Sequence, residues 1–311
     1  MARHLNYMII GAGGTGGVLA HAMTKAGLYV TLIARGEHLR AIRANGLTIR
    51  KLWDESSECI HIKATDMDHY SERPDVIFLC VKDYSVEGCY DFIRNAAKKN
   101  TVIIPLLNGI SIGRRIGEAL PGYTVPAGLI YVSANIAEPG FLVQYGSILK
   151  IVFGMLNPDA DDSKVRDIAK DLADHGVNAV FSEHIKCDIL EKFSYVSPAA
   201  AAGLYLGARA GDFQKPGEPR EMFKTMIREI IALAYAMGCP FGRDFVRENL
   251  KIMDTLKPTA STSLQRDIEA GKPSEIDSLI GEVLRLGEEY HVPMPAYRMA
   301  AEEIRKRYGV L

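Results

Sequence analysis

Gly11-Ala-Gly-Gly-Thr-Gly16 puts four glycines into six residues, directly after the apolar run Tyr7-Met-Ile-Ile10 and ahead of a helix-like segment from about Thr15 to Ala26. A G-x-G-x-x-G loop in that setting can cradle a pyrophosphate. Gly11 permits the tight turn, Gly13 lets a phosphate approach the backbone, and Gly16 lets helix and strand pack closely. The helix N-terminus adds amide donors and a positive dipole end. An ordinary glycine turn would use the same residue type, but the strand–turn–helix context favours a dinucleotide. The candidate contacts are therefore Gly11, Ala12, Gly13, Gly14, Thr15 and Gly16. At the end of the second strand-like run stands Arg35, 19 residues after Gly16, and no carboxylate appears before Glu37. An arginine can pair with a 2′-phosphate that a carboxylate would repel, so NADP (NADPH) is expected over NAD. The competing reading of Arg35 is a solvated surface charge.

Further polar residues fall where a ligand of such a domain lies, at the carboxyl ends of strands. Lys82 follows the run Asp75–Val81, and Asn108-Gly109 follows Thr101–Leu107. Lys82 could simply cap a strand end, and Asn-Gly is a common turn pair. Their shared edge favours a role for both. Lys192 lies at i+3 from Ile189 and i+7 from Ile185, beside an apolar stripe. A lysine there must snorkel to water, pair with an acid or face a cleft, and in a cleft a lysine of depressed pKa can act as a general acid. Ser263 and Asp267 share a face if their segment is helical. Glu275 would open the helix after Pro273-Ser274, where an acid also simply complements the helix dipole.

The elements that must position these residues divide the chain of 311 residues in two. In the first part, short continuous apolar runs (Tyr7–Ile10, Tyr29–Ala34, Asp75–Val81, Thr101–Leu107) alternate with amphipathic stretches. This is the pattern of a parallel sheet covered on both faces. Gly46 to Ile62 is polar and mixed and takes no assignment. After about Ser182 helical periodicity dominates. Pro219 to Met237 carries a stripe through Phe223, Met226, Ile227, Ile230, Ile231 and Ala234, and Gly238 and Pro240 end it. A second helix is expected from Pro273-Ser274 onward. The reading is a doubly wound α/β domain over residues 1–182 and an all-α domain over 183–311.

Charge is balanced, with 37 Lys plus Arg against 38 Asp plus Glu, which gives no general attraction to nucleic acid or an anionic membrane. The N-terminus is too short in apolar residues for a signal peptide, and no stretch suits a bilayer span, so a soluble cytoplasmic protein is expected. The five cysteines include no CxxC pair and read as reduced residues, mostly core filler, with no metal site expected.

Together these pieces resemble the ketopantoate reductase (2-dehydropantoate 2-reductase) family over nearly the whole chain. The resemblance rests on Gly11–Gly16, Val30-Thr-Leu-Ile-Ala-Arg35-Gly, Val81-Lys82, Leu107-Asn108-Gly109, Glu191-Lys192-Phe193, Thr262-Ser263-Leu-Gln-Arg-Asp267 and Pro273-Ser-Glu275-Ile-Asp277. It implies a Rossmann domain, a helical domain and an active site in the cleft between them. It also implies hydride transfer from NADPH to a 2-keto acid. By position, Lys192 matches the family's proton donor and Asn108 the residue touching both nicotinamide and substrate. Ser263 matches a serine holding the substrate carboxylate, Glu275 an acid lining the cofactor or substrate site, Lys82 a cofactor-side lysine and Ala134 a backbone contact to the cofactor. A homodimer is a further expectation of the resemblance.

One departure bears on the substrate. The family carries asparagines four and eight positions after the catalytic lysine, where this chain has Val196 and Ala200. Ser194, Tyr195 or Ser197 are the candidates to replace them. A reductase of another 2-keto acid and a non-catalytic NADP-binding redox sensor are the alternative functions.

Overall fold

The computed structural model describes residues 5–310. They form two compact units: residues 5–107 with 111–185, and residues 108–110 with 186–310.

The first unit runs β1 (Asn6–Ile10), α1 (Gly14–Lys25), β2 (Tyr29–Ile33), α2 (Gly36–Asn45), β3 (Leu47–Lys51), β4 (Ser57–Ile60), β5 (Lys63–Thr65), β6 (Val76–Leu79), α3 (Tyr90–Ala96), β7 (Val102–Pro105), α4 (Ile112–Ala119), β8 (Ala127–Tyr131), β9 (Ala134–Glu138), β10 (Phe141–Gln144), β11 (Lys150–Gly154), α5 (Ser163–Asp174) and β12 (Ala179–Phe181). Strands β5-β2-β1-β6-β7 form a sheet, and every pair in it is parallel. Its strands are apolar throughout because both faces are covered. Tyr7, Ile9, Val76 and Phe78 enter one core, while Met8, Ile10, Ile77 and Leu79 enter another. The two-residue period thus feeds two cores from one strand.

The unassigned Gly46–Ile62 stretch is the antiparallel hairpin β3–β4, which joins β10 and β9 in a second sheet of order β4-β3-β10-β9. A third sheet, β12-β11-β8, completes the unit. Neither small sheet is expected from the apolar runs. Strand β4 alternates between exposed and half-buried residues, and β9 is half-buried or exposed along its whole length.

The second unit is helical: α6 (Ile185–Leu206), α7 (Ala210–Phe213), α8 (Glu218–Ala236), α9 (Phe245–Asp254), α10 (Ser263–Glu269), α11 (Glu282–Glu289) and α12 (Pro295–Tyr308). The stripe read from the sequence is the buried face of α8, where Phe223, Met226, Ile227 and Ile230 are inaccessible to water. Helix α6 holds Pro198 in its interior, so residue 198 offers no N–H to the Ser194 carbonyl four residues earlier. The buried Asn249 side-chain amide fills that vacancy, donating to the Ser194 carbonyl at 3.0 Å and to the Ser194 hydroxyl oxygen at 2.9 Å.

Two expectations are corrected here. The segment after Pro273-Ser274 does not open as an α-helix at Glu275: helical geometry starts at Ile276, and Asp277–Gly281 forms a π-helical turn before α11. The reading of all five cysteines as reduced also fails. Cys187 and Cys239 form a disulfide, tying the start of α6 to the residues just beyond α8, while Cys59, Cys80 and Cys89 are thiols. The two half-cystines lie 52 residues apart in sequence, and only the packing of α6 on α8 brings them together. No helix among the described residues is long and apolar enough to cross a membrane.

Candidate active site

In the first unit the glycine loop is built as a turn between β1 and α1. Gly11 has φ +104°, a backbone that residues with a Cβ rarely adopt. A Cβ on Gly16 would collide with the Gly11 carbonyl and approach Cys80, so that glycine is what lets the helix sit on the strand. Over Gly13 there is open space, with nothing within 4 Å of a Cβ built there. Gly13 is also the N-cap of α1 and supplies no side-chain cap, so the first-turn N–H groups have no intrahelical acceptor. An anion could take those donors.

Gly14 has a role the motif does not announce. A Cβ there would collide with the backbone carbonyl of Ala134, the first residue of β9. The structure therefore brings Ala134 against the glycine loop, as a backbone neighbour. Arg35 is exposed at the N-cap of α2, at the end of β2. It is close enough to Cys89 for its charge to act on that thiol. Lys82 is half-buried just beyond β6, at the start of a 3-10 turn.

The second unit gathers three of the candidates. The Lys192 ammonium donates to Asn108 Oδ1 at 3.0 Å. The segment carrying Asn108 is pinned two residues on, where the Ile110 amide donates to the buried Glu282 carboxylate at 2.9 Å. Glu275 is buried on the flank of the π-helical turn, where its carbonyl accepts from the Leu279 amide. Its charge acts on Lys192. Burial pushes the Lys192 amine down to about 8, and the Glu275 carboxylate opposes that shift by favouring the ammonium. An amine of that strength is a usable acid near neutral pH.

Ser263 is the first residue of α10. Its helix is opened by a capping box in which Thr262 Oγ1 accepts from the Gln265 amide and Gln265 Oε1 accepts from the Thr262 amide. The spacing Thr-x-x-Gln is the signal that marks this start in the sequence. Gln265 also holds α10 to α6, because its side-chain amide lies over Gly203, 2.8 Å from where a Cβ would be.

Of the side chains offered as replacements for the asparagines, the two serines are hydrogen-bonded within the helical unit. Ser194 donates to the Glu191 carbonyl and accepts from Asn249. Ser197 donates to the Leu279 carbonyl within the π-helical turn and pairs with the Tyr297 hydroxyl at 2.6 Å. Both serines are fully buried. Tyr195 packs edge-on against Phe223, and burial raises its phenol to about 12. Val196 and Ala200 follow Lys192 at one and two turns on α6, so the helix face beyond the lysine is apolar. Asn249, which sequence reasoning missed, carries a structural amide; the signal for it was Pro198 within a helix.

The parallel sheet, the glycine loop and the helical unit define an α/β fold of the Rossmann type joined to an all-α unit. The sequence profile of ketopantoate reductase PanE/ApbA matches residues 7–158, and that of the PanE/ApbA C terminal matches residues 184–308. The chain belongs to the ketopantoate reductase family, and is an oxidoreductase of the kind that acts on CH–OH groups. It is 26% identical to the 2-dehydropantoate 2-reductase of Mesorhizobium japonicum, over 96% of each chain. A PanE/ApbA family ketopantoate reductase from Ralstonia eutropha has the same fold, with a TM-score of 0.85, 24% identity, and 98% of this chain and 100% of that one covered. A D-mandelate dehydrogenase, solved with NADH and anilino(oxo)acetate, superposes with a TM-score of 0.84 at 22% identity, covering 97% of this chain and 98% of that one.

Proposed function

We propose that the protein reduces a 2-keto acid with NADPH, converting ketopantoate to pantoate in the route to pantothenate, with Lys192 as proton donor. The observation that carries this reading is the Lys192–Asn108 hydrogen bond on an amine brought down to about 8. A reduced nicotinamide, held by the glycine loop, would supply a hydride to the carbonyl carbon. Lys192 gives its proton to the oxygen as charge develops there, and is left as a neutral amine. Asn108 fixes the ammonium through Oδ1 and has its NH2 group to donate to a ligand. The Glu275 charge keeps Lys192 protonated at neutral pH. Ser263 holds the substrate carboxylate.

The cofactor reading is supported by the cradle: open space over Gly13, uncapped first-turn amides, and the Ala134 backbone against Gly14. Arg35 supports NADPH through the 2′-phosphate. Arg35→Asp is expected to weaken NADPH binding far more than NADH binding, and equal weakening would remove the assignment. We extend the reading to a cytoplasmic homodimer, in which residues 1–182 serve the cofactor and residues 183–311 the substrate.

A second substrate is favoured by one observation. With Ser194 and Ser197 hydrogen-bonded elsewhere, Val196 and Ala200 offer no donor at the two positions one and two turns after Lys192. Such a face suits a 2-keto acid with an apolar side chain, because a substrate hydroxyl buried against it without a partner costs about 1–3 kcal/mol. Nicotinamide oxidation with ketopantoate, 2-keto acids of branched apolar chain and phenylglyoxylate decides between them. Turnover only with the apolar acids would displace ketopantoate, and no turnover with any, while NADPH still binds, would support a redox sensor.

A further inference from the structure

We propose that His38 is a positioning residue for the dinucleotide site, holding the glycine loop in its binding shape by bridging Ala12 to Gly140. The proposal rests on the reading of Gly11–Gly16 as a dinucleotide cradle.

His38 lies on α2, one turn after Arg35, and both of its ring nitrogens are engaged by backbone. The Gly140 amide donates to Nδ1 at 2.9 Å, and Nε2 meets the Ala12 carbonyl oxygen at 2.9 Å. A carbonyl only accepts and an amide only donates, so the ring must carry its proton on Nε2 and none on Nδ1. One neutral tautomer therefore satisfies both partners.

The geometry shows what this bridge does. The Ala12–Gly13 peptide is planar and trans, so its N–H points opposite to its C=O. Pinning the Ala12 carbonyl to His38 aims the Gly13 N–H away from the histidine. The other end of the bridge, Gly140, is in the turn between β9 and β10 with φ +76°. Strand β9 begins at Ala134, the residue whose carbonyl bounds Gly14. One ring thus ties the loop, the strand beside it and the helix that carries Arg35.

Only the neutral ring can do this. Protonated Nδ1 would present a second N–H to the Gly140 amide and the bond would be lost. Burial keeps His38 below the usual histidine range, and the Ala12 bond partly offsets that. The elements packed on the ring bring little charge to it. Residues Gly11–Gly14 carry no ionisable group, and Glu138 before the turn is exposed. On α2 itself Glu37 pairs with Arg40, and both are exposed, as is Arg35.

The test measures NADPH and NADH dissociation constants by nicotinamide fluorescence for wild type, His38→Ala and His38→Gln, from about pH 5 to about pH 8, around the ordinary histidine range. It also measures exchange of the Gly140 amide in the protein without cofactor. A glutamine amide offers an acceptor and a donor about as far apart as the ring nitrogens, and it does not titrate. His38→Ala is expected to weaken both cofactors about tenfold, the order of one lost hydrogen bond, and to speed Gly140 exchange. His38→Gln should restore most of the affinity. Relative to His38→Gln, the wild type should hold its affinity near the ordinary histidine value of about 6.5 and lose it toward the acid end of the range, because burial lowers the ring's pKa.

Wild-type affinity in His38→Ala would overturn the proposal while leaving the cradle reading intact. Lowered thermal stability in both variants with unchanged dissociation constants would do the same, by reducing His38 to a brace. A wild-type protein that binds neither cofactor would overturn the cradle reading and this one together. A ratio of wild type to His38→Gln that stays flat with pH would overturn the requirement for a neutral ring.

Discussion

The Lys192–Glu275 pair makes a prediction whose size follows from the structure. With the amine at about 8, roughly nine-tenths of Lys192 is ammonium at pH 7 and about one-tenth at pH 9. Lys192 has to be protonated to act as the acid, so kcat/KM for keto-acid reduction should fall about tenfold per pH unit above about 8. The reverse reaction needs the neutral amine and should rise over the same range. Glu275→Gln removes the charge that holds the ammonium, while burial, the larger influence, stays. The alkaline limb should then move to lower pH, by about one unit for an opposite charge nearby. Lys192→Ala should abolish the limb and lower turnover by about 10²–10⁴-fold, with NADPH binding retained. The assay is kcat/KM against pH at saturating NADPH for the three proteins. A limb that stays in place in Glu275→Gln, or moves upward, would refute the electrostatic account. Unchanged turnover in Lys192→Ala would remove the acid altogether.

Three further predictions concern the scaffold. Gly14→Ala forces a methyl into the Ala134 carbonyl and should cost about 1–3 kcal/mol of stability, read by denaturant midpoint, together with weaker cofactor binding; a wild-type midpoint would mean β9 can retreat freely. Asn249→Ala strands the buried Ser194 carbonyl that Pro198 cannot serve, at a cost of about 1–3 kcal/mol; Pro198→Ala in the same background should recover part of it by supplying the missing N–H. Thiol titration of the denatured protein should find three reactive cysteines before reduction and five after. Cys187→Ser should lower stability by up to about 4 kcal/mol, the loop-closure value for 52 residues; five thiols without reductant would contradict the bond.

The two-residue period of β1 and β6, buried on both faces, is written in their apolar runs, and the glycine loop with its flanking strand and helix is legible for the same reason: the constraint is local. The 3.6-residue stripe of α8 is equally plain. The sequence pattern opens a helix at Glu275, one residue before helical geometry begins at Ile276, because a π-helical turn leaves no mark in hydrophobic spacing. Strands β4 and β9 are not legible in the sequence because they are half-buried or exposed, so their pattern is weak until partners are known.

The sequence by itself determined the two kinds of architecture and the residue types available for chemistry. It also placed Val196 and Ala200 one and two turns after Lys192, since composition and period are properties of the chain. Only the tertiary structure decided which groups meet. It set the Lys192 ammonium on Asn108 across 84 positions, the Glu275 charge near that amine, the His38 ring between Ala12 and Gly140, and Cys187 on Cys239. Those contacts join residues distant along the chain, so their energies depend on distance and burial in three dimensions. Spacing along the sequence carries neither.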